Sequence, residues 1–377
     1  MRHPPFTACE FFAGGGMARA GLGPRWRTLF ANDFDPGKAA AYRANFGGET
    51  LRVGDVWNLT TADLPGRADL AWASSPCQDF SLAGARAGLQ GGRSSALLGF
   101  WRLVRALDAE GRAPRTVVIE NVTGLLTSDG GRDFTALCGM LADEGWRFGA
   151  LEVDASLFVP QSRPRVFVIA TREPRADALC GPPEEASPFR TRALKQAQGA
   201  LPEPVKARWL WWRLSAPPSR NADLASMLEP AAAWDDAEGT DRLLALTSPL
   251  HRARVEAART SRERLIGTAY RRVRVEHGVR VQRAELRFDG LAGCLRTPAG
   301  GSSRQFVVEV AGGEVRSRRL TAREGARLMG LPDDYLLPAG ATAAWRVVGD
   351  GVAAPVVRWL AERLLEPLLT DAARAAA

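Results

Sequence analysis

The sequence predicts an α/β fold in which a mainly parallel sheet carries a ligand cleft along the carboxyl ends of its strands. Three observations lead there. Short apolar runs such as Phe6 to Phe12, Ala68 to Ala73 and Thr116 to Val122 alternate with longer helical stretches. A glycine turn, Ala13-Gly14-Gly15-Gly16, joins the first run to the first helix, an arrangement that lets backbone approach a nucleotide at a helix N-terminus. The strand candidates also run into polar or reactive residues, Asp33, Asp55, Cys77 and Glu120, and ligands gather at strand ends in such sheets.

Taken in order, the second strand, Arg27 to Ala31, ends in Asn32-Asp33-Phe34-Asp35, about 20 residues after the glycines. An acid at that offset can accept hydrogen bonds from ribose hydroxyls, and Phe34 can pack against an adenine. Asp33 is equally placed to cap the helix that Pro36 begins. That helix runs to Phe46, and a short strand, Leu51 to Val53, leads to Gly54-Asp55-Val56, where Asp55 can receive an adenine amino group. The strand Ala68 to Ala73 enters Ser74-Ser75-Pro76-Cys77-Gln78-Asp79-Phe80-Ser81. Pro76 fixes a rigid approach, so Cys77 is expected to face the cleft. Gly84, Gly88, Gly91 and Gly92 make residues 83–93 a mobile loop over it in this reading.

A helix from Ser94 to Ala109 precedes the strand that ends in Glu120-Asn121-Val122. Burial disfavours a charged carboxylate, so Glu120 can be protonated and donate to a ring nitrogen, unless it caps the next segment or pairs with an arginine. A helix from Arg132 to Glu144 and strands Phe148 to Val153 and Val166 to Ala170 complete the sheet. Between those two strands lies Gln161-Ser162-Arg163-Pro164-Arg165. In extended chain Arg163 and Arg165 point to opposite sides, one to the cleft and one outward. The last helix, Ala354 to Leu369, carries one apolar stripe and is expected to return beside the first strand.

Composition bounds the function. With 46% hydrophobic and 24% charged residues among 377, the chain can bury a full core. No apolar run approaches the roughly 20 residues of a membrane span, and no signal-peptide core follows Met1 to Pro5, so a cytoplasmic protein is expected. Cys9, Cys77, Cys138, Cys180 and Cys294 form no C-x-x-C pair, and His3, His251 and His277 do not cluster, which argues against a disulfide framework, a metal centre or a His-based triad. From His251 to Arg319, 16 Arg and no Lys stand against 7 Asp and Glu, an excess larger than the whole chain's +8. A basic segment on a nearly neutral body suggests a polyanionic partner.

Phe12-Ala13-Gly14-x-Gly16, Pro76-Cys77-Gln78, Glu120-Asn121-Val122, Gln161-x-Arg163-x-Arg165, Arg319-Leu320-Thr321-x-Arg323-Glu324 and Gly349-x-Gly351-Val352 together resemble the bacterial DNA (cytosine-5-)-methyltransferase family, in motif order and spacing. The resemblance implies a Rossmann-like S-adenosyl-methionine-dependent methyltransferase domain with a smaller target-recognition domain. It places the first part of the catalytic domain at 1–172, target recognition at 173–344 and the completing helix at 345–377. It implies a catalytic set of Cys77, Glu120 and Arg165. Cytosine carbon 5 is too weak a nucleophile to take a methyl group unaided, and a thiolate adding at carbon 6 makes the ring enamine-like. S-adenosyl-methionine would be held by Phe12, Gly14, Gly16, Asp33, Phe34, Asp55, Val56, Pro76 and Leu97. Gln78, Ser81, Gln161 and Arg163 would contact double-stranded DNA, with the target base flipped out.

The same resemblance implies no metal and a monomer, and puts the loop from Thr297 to Gln305 nearest the DNA. Trp209, Trp211 and Trp212 read as core residues. Asp350 stands where the family usually has Asn, and Met17 where a glycine is common. A tRNA-directed cytosine-5 methyltransferase, a catalytically silent DNA-binding member and a nicotinamide-dependent oxidoreductase are the competing readings.

Overall fold

Seven strands form the first sheet: β1 (Phe6–Phe11), β2 (Trp26–Asp33), β3 (Leu51–Val53), β4 (Leu70–Ser74), β5 (Thr116–Val122), β6 (Arg147–Asp154) and β7 (Pro164–Thr171). The coordinates are a computed structural model that describes residues 5–75, 96–261, 263–297 and 304–370. The strand order is β3-β2-β1-β4-β5-β7-β6. Strands β1 to β5 pair in parallel, and β7 runs antiparallel to both of its neighbours. The order reverses between β1 and β4, the position at whose carboxyl ends ligands bind in open α/β sheets.

The near-continuous apolar runs become β4 and β5 because both faces of a parallel sheet are covered by helices. Helices α1 (Met17–Leu22), α2 (Pro36–Phe46), α3 (Ala96–Ala109) and α4 (Arg132–Asp143) follow β1, β2, β4 and β5. Phe100 and Val104 of α3 and Phe134 and Leu137 of α4 bury with Phe11, Val117 and Ile119 of the strands in one cluster. No helix among the described residues is long and apolar enough to cross a membrane.

The chain divides into two compact units, Met1–Asp154 with Pro164–Pro217 and Val356–Ala377, and Ala155–Arg163 with Pro218–Pro355. This moves the sequence-based boundaries of 173–344 and 345–377. Residues 173–217 join the first unit because they cover the sheet edge at β6. Phe148 accepts from Leu210 N–H at 2.6 Å and donates to Arg208 O at 3.0 Å. Gly149 is required there, since a Cβ would stand 1.8 Å from Leu210 O. Trp212 is fully buried, and Trp209 meets Phe134 and Phe148 edge-on, so this cluster is core. The last helical segment also belongs to the first unit. Glu366 accepts from Trp26 Nε1 at 3.0 Å and pairs with Arg25 at 2.5 Å. The helix thus meets the start of β2, and reaches β1 through Trp26, whose ring stacks on Phe6.

The second unit holds a four-stranded antiparallel sheet, β11-β10-β8-β9, made of β8 (Leu265–Glu276), β9 (Val279–Arg287), β10 (Phe306–Ala311) and β11 (Glu314–Arg319). Helices Ala237–Ala245 and Pro249–Thr260 set Leu243 and Val255 against Ala269, Ala284, Leu286 and Phe306. Arg318 and Glu324 form a fully buried two-pronged ion pair at 2.8 and 2.6 Å. Glu324 also accepts from Thr321 N–H and its own N–H reaches Thr321 Oγ1, a capping box that starts the helix Ala322–Leu328.

Candidate active site

The carboxyl edge of the first sheet gathers the polar residues. At the end of β1, Phe12 takes a left-handed conformation with φ 58°, which stops the strand one residue before expectation. Gly14 and Gly16 continue the turn at φ 56° and 81°. Their roles separate on space. A side chain at Gly16 would strike the Phe46 ring at 2.5 Å, whereas one at Gly14 would meet only Lys38 Cδ at 4.0 Å. Gly16 therefore serves packing, and Gly14 faces open room.

Asp33 does not cap α2. Its Oδ2 accepts from Gly14 N–H at 2.7 Å and its Oδ1 from Asp35 N–H at 2.8 Å, so it holds the glycine turn against the end of β2. Asp35 is the cap, accepting from Gly37 and Lys38 N–H. Burial pushes the Asp33 carboxyl above the usual carboxylate range. Beside it Phe34 is 76% exposed, an aromatic ring left without cover next to an acid. Asp55 accepts from Trp57 N–H at 3.0 Å through one oxygen. Val56 and Leu97 are both buried in the apolar cluster.

Because β7 runs against β5, its first residues share an edge with the last residues of β5, and Arg165 registers with Val122. Arg165 Nε lies 3.1 Å from Glu120 Oε1, both nearly buried. Glu120 thus has a counter-charge, the arginine partner that the sequence left as an alternative. Asn121 turns the other way. Its side-chain amide donates to Ser75 O at 3.0 Å and to Ser75 Oγ at 3.1 Å, anchoring the chain two residues before Cys77. Pro76, Cys77, Gln78, Ser81, the loop 83–93 and residues 298–303 lie outside the described residues.

Among the described cysteines, burial pushes the Cys9 thiol up to about 12 and the Cys180 thiol up to about 11, and holds the Cys138 thiol well above its usual value.

Gln161 and Arg163, expected to contact DNA, are buried ties within the second unit. Gln161 donates to Leu328 O at 2.7 Å and accepts from Leu295 N–H at 3.0 Å. Arg163 donates to the carbonyls of Leu295, Gly349 and Gly351 at 2.8, 3.0 and 2.6 Å. Alternation predicted opposite directions for Arg163 and Arg165, but the outward one points into a cage of carbonyl oxygens. Asp350 accepts from the Thr297 hydroxyl.

The model of the family described as C-5 cytosine-specific DNA methylase matches residues 6–366. The chain belongs to that family.

This methylase is 26% identical over 364 residues to the Type II methyltransferase M.NlaX of Neisseria lactamica, covering 95% of this chain and 96% of the relative. It is 25% identical over 381 residues to M.HpaII of Haemophilus parainfluenzae, covering 96% and 90%. Its fold is like that of the Dnmt2 methyltransferase of S. pombe, with a TM-score of 0.59 at 17% identity over 96% of this chain and 99% of that one. The methylase's fold is therefore the Rossmann-like α/β fold of methyltransferases that use S-adenosyl-methionine as methyl donor.

The residues present fit that donor. An exposed aromatic ring, an acid at the end of β2, an open glycine and a second acid after β3 line one edge of the methylase's sheet. Sequence reasoning missed three organising residues. Asn32 donates to the carbonyls of Arg52 and Gly54, both at 3.0 Å, tying β2 to the turn after β3. Asn121 anchors Ser75 from inside the Glu120-Asn121-Val122 motif. Glu10, an acid inside the apolar run Ala8-Cys9-Glu10-Phe11, was the available signal for a buried carboxyl under the glycine turn.

Proposed function

We propose that the protein methylates carbon 5 of a cytosine flipped out of a specific double-stranded DNA sequence, through a covalent adduct with Cys77, as the modification partner of a restriction system. The observation that carries this reading is the Glu120–Arg165 pair at the carboxyl end of β5, the strand that adjoins β4 at the point where strand order reverses. A carboxyl and a guanidinium held together there can grip a pyrimidine's ring nitrogen, exocyclic amine and carbonyl at once. They thereby lower the cost of the negative charge that develops when sulfur adds to carbon 6.

Cys77 is the nucleophile in this reading. It follows Ser75 by two residues; Asn121 holds Ser75, and the preceding Ser74 registers with Glu120. The buried thiols at Cys9 and Cys138 are poor competitors. Phe34 stacks on the adenine, Asp33 takes the ribose hydroxyls on its remaining lone pairs, and Asp55 receives the amino group. Phe12, Gly14, Gly16 and Pro76 shape the cleft, with Val56 and Leu97 behind. S-adenosyl-methionine, when bound, supplies an electrophilic methyl group. Gln78 and Ser81 contact the flipped nucleotide and its backbone. The chain acts as a monomer in the cytoplasm, associated with the nucleoid when on DNA.

The test uses labelled S-adenosyl-methionine with DNA, tRNA and DNA containing 5-fluorocytosine. Label should enter DNA and not tRNA, and the fluorinated duplex should yield a denaturation-resistant adduct. An equal adduct yield from Cys77→Ala would refute the mechanism, and label in tRNA alone would refute the substrate.

A further inference from the structure

The distal half of the β8–β9 hairpin has no part in methyl transfer as proposed. Pairing of β10 with β8 ends at Phe306↔Ala269, whereas β9 follows β8 to Glu276↔Val279. Beyond Ala269 the sheet narrows to a two-stranded ribbon of seven residues a side, about 23 Å long at ~3.3 Å per residue. His277 and Gly278 close it with φ of 49° and 81°, the left-handed pair of a tight hairpin turn.

Directly opposed residues share a face, so the register sorts the ribbon's side chains. One face carries Arg272, Arg274 and Arg283 with Glu276, Glu285, Val279 and Val281, and every arginine on it is ion-paired: Glu285 pairs with Arg272 and Arg274, and Glu276 with Arg283, which leaves a surplus of one positive charge. The other carries Arg271, Val273, Val275, Arg280 and Gln282, with no carboxylate. Among the described residues neither Arg271 nor Arg280 makes an ion pair, and Arg271 only lies over the Phe306 ring at 5.4 Å. Val273 and Val275 are 50% and 70% exposed. Nearer the base, the same face holds Ala269, Ala284 and Leu286, packed under Leu243 and Val255.

We infer that this second face enters the major groove of the substrate DNA and reads base pairs flanking the target cytosine; the inference rests on the DNA-methylating function proposed above. A major groove about 12 Å wide admits a two-stranded ribbon. A guanidinium matches guanine O6 and N7, a glutamine amide matches adenine N6 and N7, and valine methyls meet the thymine methyl. The first face holds all of its arginines in ion pairs, whereas the second carries arginines without a carboxylate beside Gln282, Val273 and Val275. A protein partner is disfavoured by the same residues, since two valines amid unpaired arginines fall short of the apolar centre of a stable interface.

The test maps methylated sites by bisulfite sequencing after the full chain, S-adenosyl-methionine and a plasmid library of randomised sequence are incubated together. The probes are Arg280→Ala and Gln282→Ala, with Arg272→Ala on the ion-paired face as the control. Each probe should relax the preference at one base pair by about 10-fold or more, while the control leaves every preference unchanged. Probes that weaken DNA binding uniformly without altering preference would overturn base reading by the ribbon, as would probes with no effect. Site-specific methylation by the unsubstituted chain in either case would leave the proposed function standing. If the unsubstituted chain methylates no DNA, the parent reading fails, and this one with it.

Discussion

Glu10 makes the stability of the first unit depend on pH in a direction opposite to that of a surface carboxylate. Its side chain is 2% exposed inside β1, and its Oε2 is buried without a hydrogen-bond partner. Burial pushes its carboxyl up to about 8, against the lowering influence of the Arg19 and Ala18 N–H groups and the Arg19 charge. Folding therefore favours the protonated acid. That contribution is complete below the unfolded value near 4.5 and is lost as pH rises through about 8. Each pH unit within the window is worth about 1.4 kcal/mol, so the span from pH 5.5 to 7.5 amounts to about 3 kcal/mol at most. Glu10→Gln keeps the shape and removes the titration. Urea unfolding of both proteins at pH 5.5 and 7.5 isolates the effect as a difference of differences, since every other group cancels. The wild-type chain should lose at least about 1 kcal/mol more than the variant between the two pH values. Parallel pH profiles would refute the assignment of Glu10 as a proton-holding group.

Three further outcomes follow from the geometry. Asn121→Ala removes both donors to Ser75, so kcat for methylation should fall about 10- to 100-fold through misplacement of the chain ahead of Cys77, with KM for DNA little changed; a KM effect alone would contradict a positioning role. Arg163→Met leaves the carbonyls of Leu295, Gly349 and Gly351 without their donor and should cost at least about 3 kcal/mol in urea unfolding; unchanged stability with weakened DNA binding would restore the DNA contact instead. Phe34→Ala, at a ring 76% exposed, should leave stability within about 0.5 kcal/mol yet weaken S-adenosyl-methionine binding about 10-fold by calorimetry; unaltered affinity would remove Phe34 from the site.

What the sequence determined by itself was local. Every expected strand of the first sheet forms near its expected place, because apolar runs, glycine turns and caps act over a few residues. The acids at strand ends were legible for the same reason, as was the glycine turn. The tertiary structure decided whom those groups meet. Asp33 reaches back to Gly14 and leaves the capping to Asp35, a choice between two acids two residues apart that no pattern distinguishes. Arg165 finds Glu120 because β7 is inserted antiparallel between β5 and β6, a pairing set by long-range hydrogen bonds and not by the composition of either strand. Gln161 and Arg163 look like exposed polar residues beside a proline, and became buried only when segments more than 100 residues away supplied the carbonyls and amide that satisfy them. Residues 173–217 joined the first unit for a related reason. An edge strand needs backbone partners, and the identity of the segment that supplies them is written in no single stretch of chain.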